Sequence, residues 1–358
     1  MSVTSTSRIS VPWLTSALTR IFSAAGLSDD AAATVAAALV DADRRGIPSH
    51  GSMLVPMYID RLRAGSVSTA ERAEVVLDAG AVAVLDGGHA LGILTGDQAM
   101  ALAIDKARTH GLGAVAVRRA FHFGGAFRFV QQATDAGCIG IAASNTRPLM
   151  PAPGGAETVV GNNPIAFGVP RADGDPIVLD MALSEVALGK IRLAAQEGRE
   201  IPETWATDAD GRPTTDAVAA IAGMLLPTGG HKGYGLALIV DLLTGVLSGG
   251  AFGSGVQGLY ADMTAPNDCA HLFVAFDLAA FGDRAEFEAR ASQLAAQATG
   301  SRRAPGVDRL LLPGQLEAER HAAFGVEGIP VGDSVLDALR DAADGLGVTL
   351  DPVEEVAA

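Results

Sequence analysis

The sequence predicts an α/β fold. Short apolar runs of strand length recur between longer stretches of helix length, and residues 73–86 alternate apolar and polar in the β manner. No internal repeat points to another architecture.

Residues 11–45 read as two helices. Pro12 suits the first turn of one and Gly26 its end; Ser28 caps the second, with Asp29 and Asp30 at its positive dipole end. A loop, IPSHGSMLVP, leads to a helix over 58–63. A hairpin turning at Asp78-Ala79-Gly80 follows, then a helix over 95–109 and a buried strand over 114–117. The middle reads as the strand CIGIAASN, a Pro/Gly-rich loop over 148–155, the strands NPIAFGVP and PIVLDMA, and a helix over 184–196. After a polar connection, a helix over 233–247 and the strand HLFVAFDL complete the core. Helices near 285–298, 315–323 and 332–345 form the tail.

Charge and composition narrow the function. The chain has 358 residues with 26 basic against 41 acidic side chains, a net −15. With no basic stretch, nucleic acid is not expected as a partner, because phosphate binding needs clustered Lys and Arg. Cys138 and Cys269 sit in no metal-ligand spacing, and no H-E-x-x-H or carboxylate cluster appears, so no metal is expected. The N-terminus lacks the apolar segment of a secretory signal. The long apolar stretch over 233–253 carries Asp241 near its middle and reads as a buried helix, not a membrane span. A cytoplasmic protein with no membrane partner is expected.

Two stretches imitate a dinucleotide-binding loop. Gly111-Leu-Gly113-Ala-Val-Ala116 follows a helix and enters a strand, the reverse of the order that places pyrophosphate on a helix N-terminus. Gly253-Ser-Gly255-Val-Gln-Gly258 has no strand before it. No standard Rossmann domain is written here.

Four spots carry candidate chemistry. His50, after Ser49 in a loop opened by Gly46 and Pro48, is placed for proton transfer near neutral pH. His122-Phe123-Gly124-Gly125-Ala126 sits between a strand and a new helix, where a ligand can approach the backbone closely. His231 and Lys232, flanked by glycines before a helix, offer amides and a positive charge to an anion. Asp180, with Met181 and Ala182, stands at the carboxyl end of an apolar strand, where it can orient an imidazole or bind a ribose. His89, His110, His271 and His321 read as structural.

Taken together, DADRRGIPSHG, HFGG, GNNPIAFGVP, LDMALSEVALGKI, PETWATDADGRPTTD, GGHKGYGLALIVDLLTGVLSG and LLPGQ resemble, in order and spacing, the malate/L-lactate dehydrogenase-like family. Its fold is non-Rossmann, a mixed sheet flanked by helices as in malate/L-sulfolactate dehydrogenases. The resemblance runs from about residue 10 to 345. It implies hydride transfer between NAD(H) or NADP(H) and a small 2-oxo or 2-hydroxy acid, in a homodimer. It implies His50 as proton donor and acceptor, Ser49 orienting its ring, and His122 as alternative donor. The segments 122–126, 180–182, His231-Lys232 and Gly314-Gln315 would line the coenzyme. The chain would divide into an N-terminal helical segment with the catalytic loop (1–75), an α/β core (76–270) and a C-terminal strand and helices (271–358).

The departures from the family pattern concern the substrate. Leu54 replaces an arginine that commonly clamps the substrate carboxylate, Asn162 replaces a threonine, and Ala120 replaces a serine. Arg147 is the candidate replacement clamp, with Arg44, Arg45 and Arg119 behind it. Leu54, Asn162, Arg147, Leu188 and Gly189 are the expected substrate residues. Lys190 stands where imine reductases of the family place an Asp relay, which favours oxo and hydroxy acids over the alternative, a cyclic Δ1-piperideine- or pyrroline-2-carboxylate imino acid. A non-catalytic metabolite-binding relative is the remaining alternative.

Overall fold

The computed structural model describes residues 6–356. The chain opens with β1 (Thr6–Ile9), α1 (Val11–Ala24) and α2 (Asp29–Arg44). Two 3-10 turns, Pro48–His50 and Ser52–Leu54, lead into α3 (Val55–Ala64). The hairpin β2 (Glu74–Ala79) and β3 (Val82–Asp86) precedes α4 (Gly92–His110), β4 (Leu112–Ala120), α5 (Phe127–Asp135) and β5 (Cys138–Ser144). Then come β6 (Met150–Pro151), β7 (Thr158–Val160), β8 (Ile165–Val169), β9 (Ile177–Met181) and α6 (Leu188–Gln196). A small unit of β10 (Ala206–Thr207), α7 (Ala217–Ala222) and β11 (Met224–Leu225) leads to α8 (His231–Asp241), which runs on as a π turn, Leu242–Val246. The chain continues with β12 (Cys269–Asp277), α9 (Arg284–Thr299), α10 (Gln315–Glu327), β13 (Ile329–Gly332) and α11 (Asp333–Asp344).

Local chemistry explains the helix starts. Ser10 Oγ accepts from Trp13 N at 3.2 Å and Ser28 Oγ from Ala31 N at 3.3 Å, each satisfying an amide that the first turn leaves free. Where the boundaries differ from the sequence expectation, tertiary contacts decide. The helix expected from residue 184 starts at Leu188, because Ser184 pairs with Pro227 and Glu185 N donates to Leu226 O. The helix expected from 95 starts at Gly92, where a Cβ would lie 1.9 Å from Phe121 O; glycine lets α4 begin directly against the strand-to-loop crossing. The polar connection after α6 carries β10, α7 and β11, which were not expected. Neither were β1 and β13, which pair antiparallel and tie the two ends of the chain together.

One seven-stranded sheet, in the order β2-β3-β4-β12-β5-β8-β9, positions the site. Only β3 and β4 run parallel. Because β12 is antiparallel to both neighbours, its first residues meet the last residues of β4 and β5: Cys269 faces Ala120, and His271 faces Ser144. In the same line Ala143 pairs with Ile165 and Ile165 with Met181. The ends of β4, β5 and β9 and the starts of β8 and β12 therefore share one sheet edge. The α1, α2 and α3 layer packs with β13 and α11 in one apolar core; α4, α5 and the sheet form a second.

Candidate active site

Above that edge lies a cavity of about 970 Å³, within the size range of small-molecule and coenzyme sites. His122 follows β4 and His50 stands on the turn Pro48–His50, and their rings stack with centroids 5.5 Å apart. Ser49 Oγ lies 3.1 Å from His50 Nδ1. Tyr58, fully buried on α3, places its hydroxyl 2.7 Å from His122 Nδ1. The loop carrying His50 rests on Asp43: its carboxylate accepts from Ser52 N at 2.8 Å, and a Cβ on residue 51 would lie 1.9 Å from Asp43 Oδ1. That approach requires Gly51, which explains the Ser-His-Gly spelling of the loop.

The other strand ends supply the rest of the wall. Asn145, Thr146 and Arg147 follow β5, Asn162 and Pro164 precede β8, and Asp180, Met181 and Ala182 end β9. Phe123, Gly124, Gly125 and Ala126 run along it below His122, and Gly314 meets it from the start of α10.

The chain matches the malate/L-lactate dehydrogenase family over residues 9–340. The chain belongs to that family. The malate dehydrogenase of Pyrococcus abyssi is 37% identical over 352 residues, 95% of each chain. The solved sulfolactate dehydrogenase of Methanocaldococcus jannaschii superposes with a TM-score of 0.91 at 34% identity, covering 96% of this chain and 98% of that one. The Δ1-piperideine-2-carboxylate reductase of Pseudomonas syringae pv. tomato superposes with a TM-score of 0.84 at 32% identity, covering 94% and 99%. Further relatives are named as NAD(+)- and NADP(+)-dependent dehydrogenases. Members of this family are oxidoreductases that use a nicotinamide coenzyme, and this chain is one of them.

Electrostatics differentiates the polar groups of this cavity. Burial, reinforced by the charges of His50 and His271, pushes His122 down to about 3, so its imidazole stays neutral. Burial also lowers His50 below its ordinary value. Asp180, although it faces the cavity, is pushed up to about 6 by desolvation, against the opposing bonds from Phe127 and Ala126 amides. Its Oδ2 accepts from Phe127 N at 2.8 Å, so Asp180 caps α5, neither orienting an imidazole nor leaving that amide for a phosphate as the sequence suggested. No group of three or more His, Cys, Asp or Glu is placed to hold a metal among the described residues.

Several expected residues lie elsewhere. Leu54 is 4% exposed and packs in the N-terminal core, so it does not shape the cavity wall as expected. His231 and Lys232 are exposed at the start of α8, off the wall, as are Ser49 and Gly189; Leu188 is on it. Gln315 turns back, accepting from Leu312 N at 3.1 Å and donating to Glu319 at 3.0 Å. Among the candidate clamps, Arg45 is held by Asp41 and Gln131, Arg44 by His321 O and Arg119 by Asp86. Arg147 lines the cavity with no acceptor for its guanidinium among the described residues. Sequence reasoning missed Tyr58, Arg192 and His321. The last, read as structural, lines the cavity and bonds Asp41 at 2.8 Å. Only Tyr58 left a signal, as the first residue of the helix expected after the His50 loop.

Proposed function

We propose that this enzyme interconverts a small 2-oxo acid and its 2-hydroxy acid, with His50 exchanging the proton at the substrate oxygen and Arg147 holding the substrate carboxylate. The observation that carries the reading is the pair of stacked imidazoles, His50 and His122, in one cavity with an unpaired arginine. The cavity is large enough for a coenzyme beside a small acid, and the backbone of Phe123–Ala126, Asp180–Ala182 and Gly314 gives it a continuous wall to lie on. When bound, the nicotinamide supplies or accepts hydride at the substrate carbon. The chain's own residues do the rest. His122, neutral and held by Tyr58, donates a hydrogen bond to the substrate oxygen. His50 delivers the proton that neutralises it, and Ser49 fixes the His50 ring. Arg147 orients the acid by a charge-assisted pair.

The imine alternative has less support, because Lys190 is exposed and off the cavity wall and so offers no relay. We further propose a cytoplasmic homodimer. Both cysteines are free and buried, and no described helix is long and apolar enough to cross a membrane. Helix α8 and its π turn expose Leu236, Ile239, Leu243 and Leu247, a face that a second copy would cover. The same contact would carry His231 and Lys232, which begin α8, toward the partner's coenzyme.

The test is loss of absorbance at 340 nm with NADH and with NADPH over a panel of 2-oxo acids and cyclic imines, for the wild type and His50→Ala. The proposal expects turnover of 2-oxo acids that falls by about 10²–10⁴-fold in the variant. Turnover confined to imines, or coenzyme binding without any turnover, overturns it.

A further inference from the structure

One buried charge takes no part in the reading above. Arg61, on α3, is 0% exposed, the largest fully buried side chain among the described residues. Its fork of donors is fully used, and every acceptor is a neutral oxygen. Nε donates to Leu259 O at 3.0 Å, and Nη1 to Ala265 O at 2.8 Å and Ser66 Oγ at 3.2 Å. Nη2 donates to Gly258 O at 2.9 Å and Asp262 O at 3.4 Å. No carboxylate lies within ion-pair distance of this guanidinium among the described residues. A charge held in that way is costly, and an apolar side chain of similar volume would fill the space more cheaply. What only arginine supplies is several donors in fixed directions.

All but one of those acceptors are carbonyls of a single segment, 258–265, which forms neither helix nor strand on its way into β12. Gly258 O and Asp262 O also accept from Ala261 N and Ala265 N, each at 3.3 Å. Leu259 O and Ala265 O accept from nothing else among the described residues, so without Arg61 they would be left unpaired. The segment is part of the cavity wall: Gly258, Leu259, Tyr260 and Ala261 all line it. Gly258 also lies against Arg147, because a Cβ there would sit 2.9 Å from Arg147 Cδ and 3.3 Å from its Nε. The residue that seats the Arg147 stem is thus tied by its own carbonyl to Arg61. Arg61 stands three residues after Tyr58, on the same face of α3, and Tyr58 holds His122. One helix carries both supports.

We infer that Arg61, itself off the cavity wall, is a positioning residue for substrate binding: its guanidinium folds segment 258–265 into the wall and, through Gly258, fixes Arg147 where it meets the substrate. The second half rests on the proposal that Arg147 takes the substrate carboxylate.

The experiment measures KM for the 2-oxo acid that the wild type reduces fastest, and the dissociation constant of NADH or NADPH by fluorescence titration. The variants are Arg61→Lys, Gly258→Ala, Arg147→Gln and the double variant Arg61→Lys with Arg147→Gln. Arg61→Lys keeps the charge but loses the fork, and KM should rise about tenfold or more while coenzyme dissociation stays within about twofold. Gly258→Ala leaves Arg61 in place and pushes on the Arg147 stem, so it tests the same link if Arg61→Lys fails to fold, and it should raise KM in the same sense. In the Arg147→Gln background, Arg61→Lys should add little. Hydrogen exchange reads the segment without substrate: amides of 258–265 should exchange about tenfold faster in Arg61→Lys, with those of α4 unchanged. Unchanged KM in both Arg61→Lys and Gly258→Ala, KM and coenzyme dissociation raised alike, or unchanged exchange over 258–265 each overturns the inference. A rise in KM just as large in the Arg147→Gln background overturns the link through Gly258. Arg147→Gln without effect on KM removes the carboxylate reading, while exchange still decides whether Arg61 holds the segment.

Discussion

His50 and His122 share a cavity, and the proposed reading gives them different roles. Their rings stack 5.5 Å apart, so a proton on one opposes a proton on the other. His122 is the poorer site for that charge: it is pushed down to about 3, and its Nδ1 is engaged by Tyr58. In the proposed roles the phenol donates to Nδ1 and the ring proton sits on Nε2, where it serves as a neutral donor but not as an acid of the working pH range. In the proposed reading the charge falls to His50. Tyr58 is a positioning residue in this account. Tyr58→Phe leaves the ring free to change tautomer, and kcat should fall by up to about tenfold with a smaller change in KM, the net worth of one buried hydrogen bond. Unchanged kcat in steady-state assays would remove Tyr58 from the account.

At the scale of elements, the two 3-10 turns and α8 do different work. The turns hold His50 through one buried carboxylate, Asp43, which desolvation pushes up to about 6, and through a glycine that lets the backbone lie against it. Helix α8 and its π turn bury Ala237 and Val240 but leave Leu238, Ile239, Leu242 and Val246 42–49% exposed, an apolar stripe that a lone protomer leaves in water. Ile239→Glu together with Leu243→Glu should shift the protein from dimer to monomer in light scattering, and should raise KM for the coenzyme about tenfold or more if His231 and Lys232 serve the partner. A variant that stays dimeric would place the interface elsewhere. Both amphipathic helices of the N-terminus were legible because their caps and apolar spacing are local. The late start of α6 was not, because it depends on a bridge between Ser184 and Pro227, 43 residues apart in sequence.

At the scale of the whole molecule, the same division holds for the site. The Ser-His-Gly loop, the His122 segment and the Asp180 strand end each carry a local signature, and the sheet brings all three to one cavity. What brings them together is the insertion of β12 between β4 and β5, a pairing of residues more than 120 apart that leaves no local trace. Leu54 shows the opposite failure. Its position in the motif suggested the substrate pocket, yet as an apolar side chain it packs into the core of α1, α2 and α3. The cations of the wall were half legible: Arg147 stood out, whereas Arg192 looked like any helix-surface arginine until α6 was placed beside the cavity.

The central claim is that His50 carries the proton. Reduction needs His50 protonated, so its rate should fall as pH rises through the lowered pKa of His50; oxidation needs it neutral and should rise through the same window. The most direct measurement is kcat/KM for reduction against pH in the wild type, His50→Gln and His122→Gln. The account predicts that the falling limb is lost in His50→Gln and kept, at a lower rate, in His122→Gln. A limb that survives in His50→Gln and disappears in His122→Gln would contradict it and make His122 the acid.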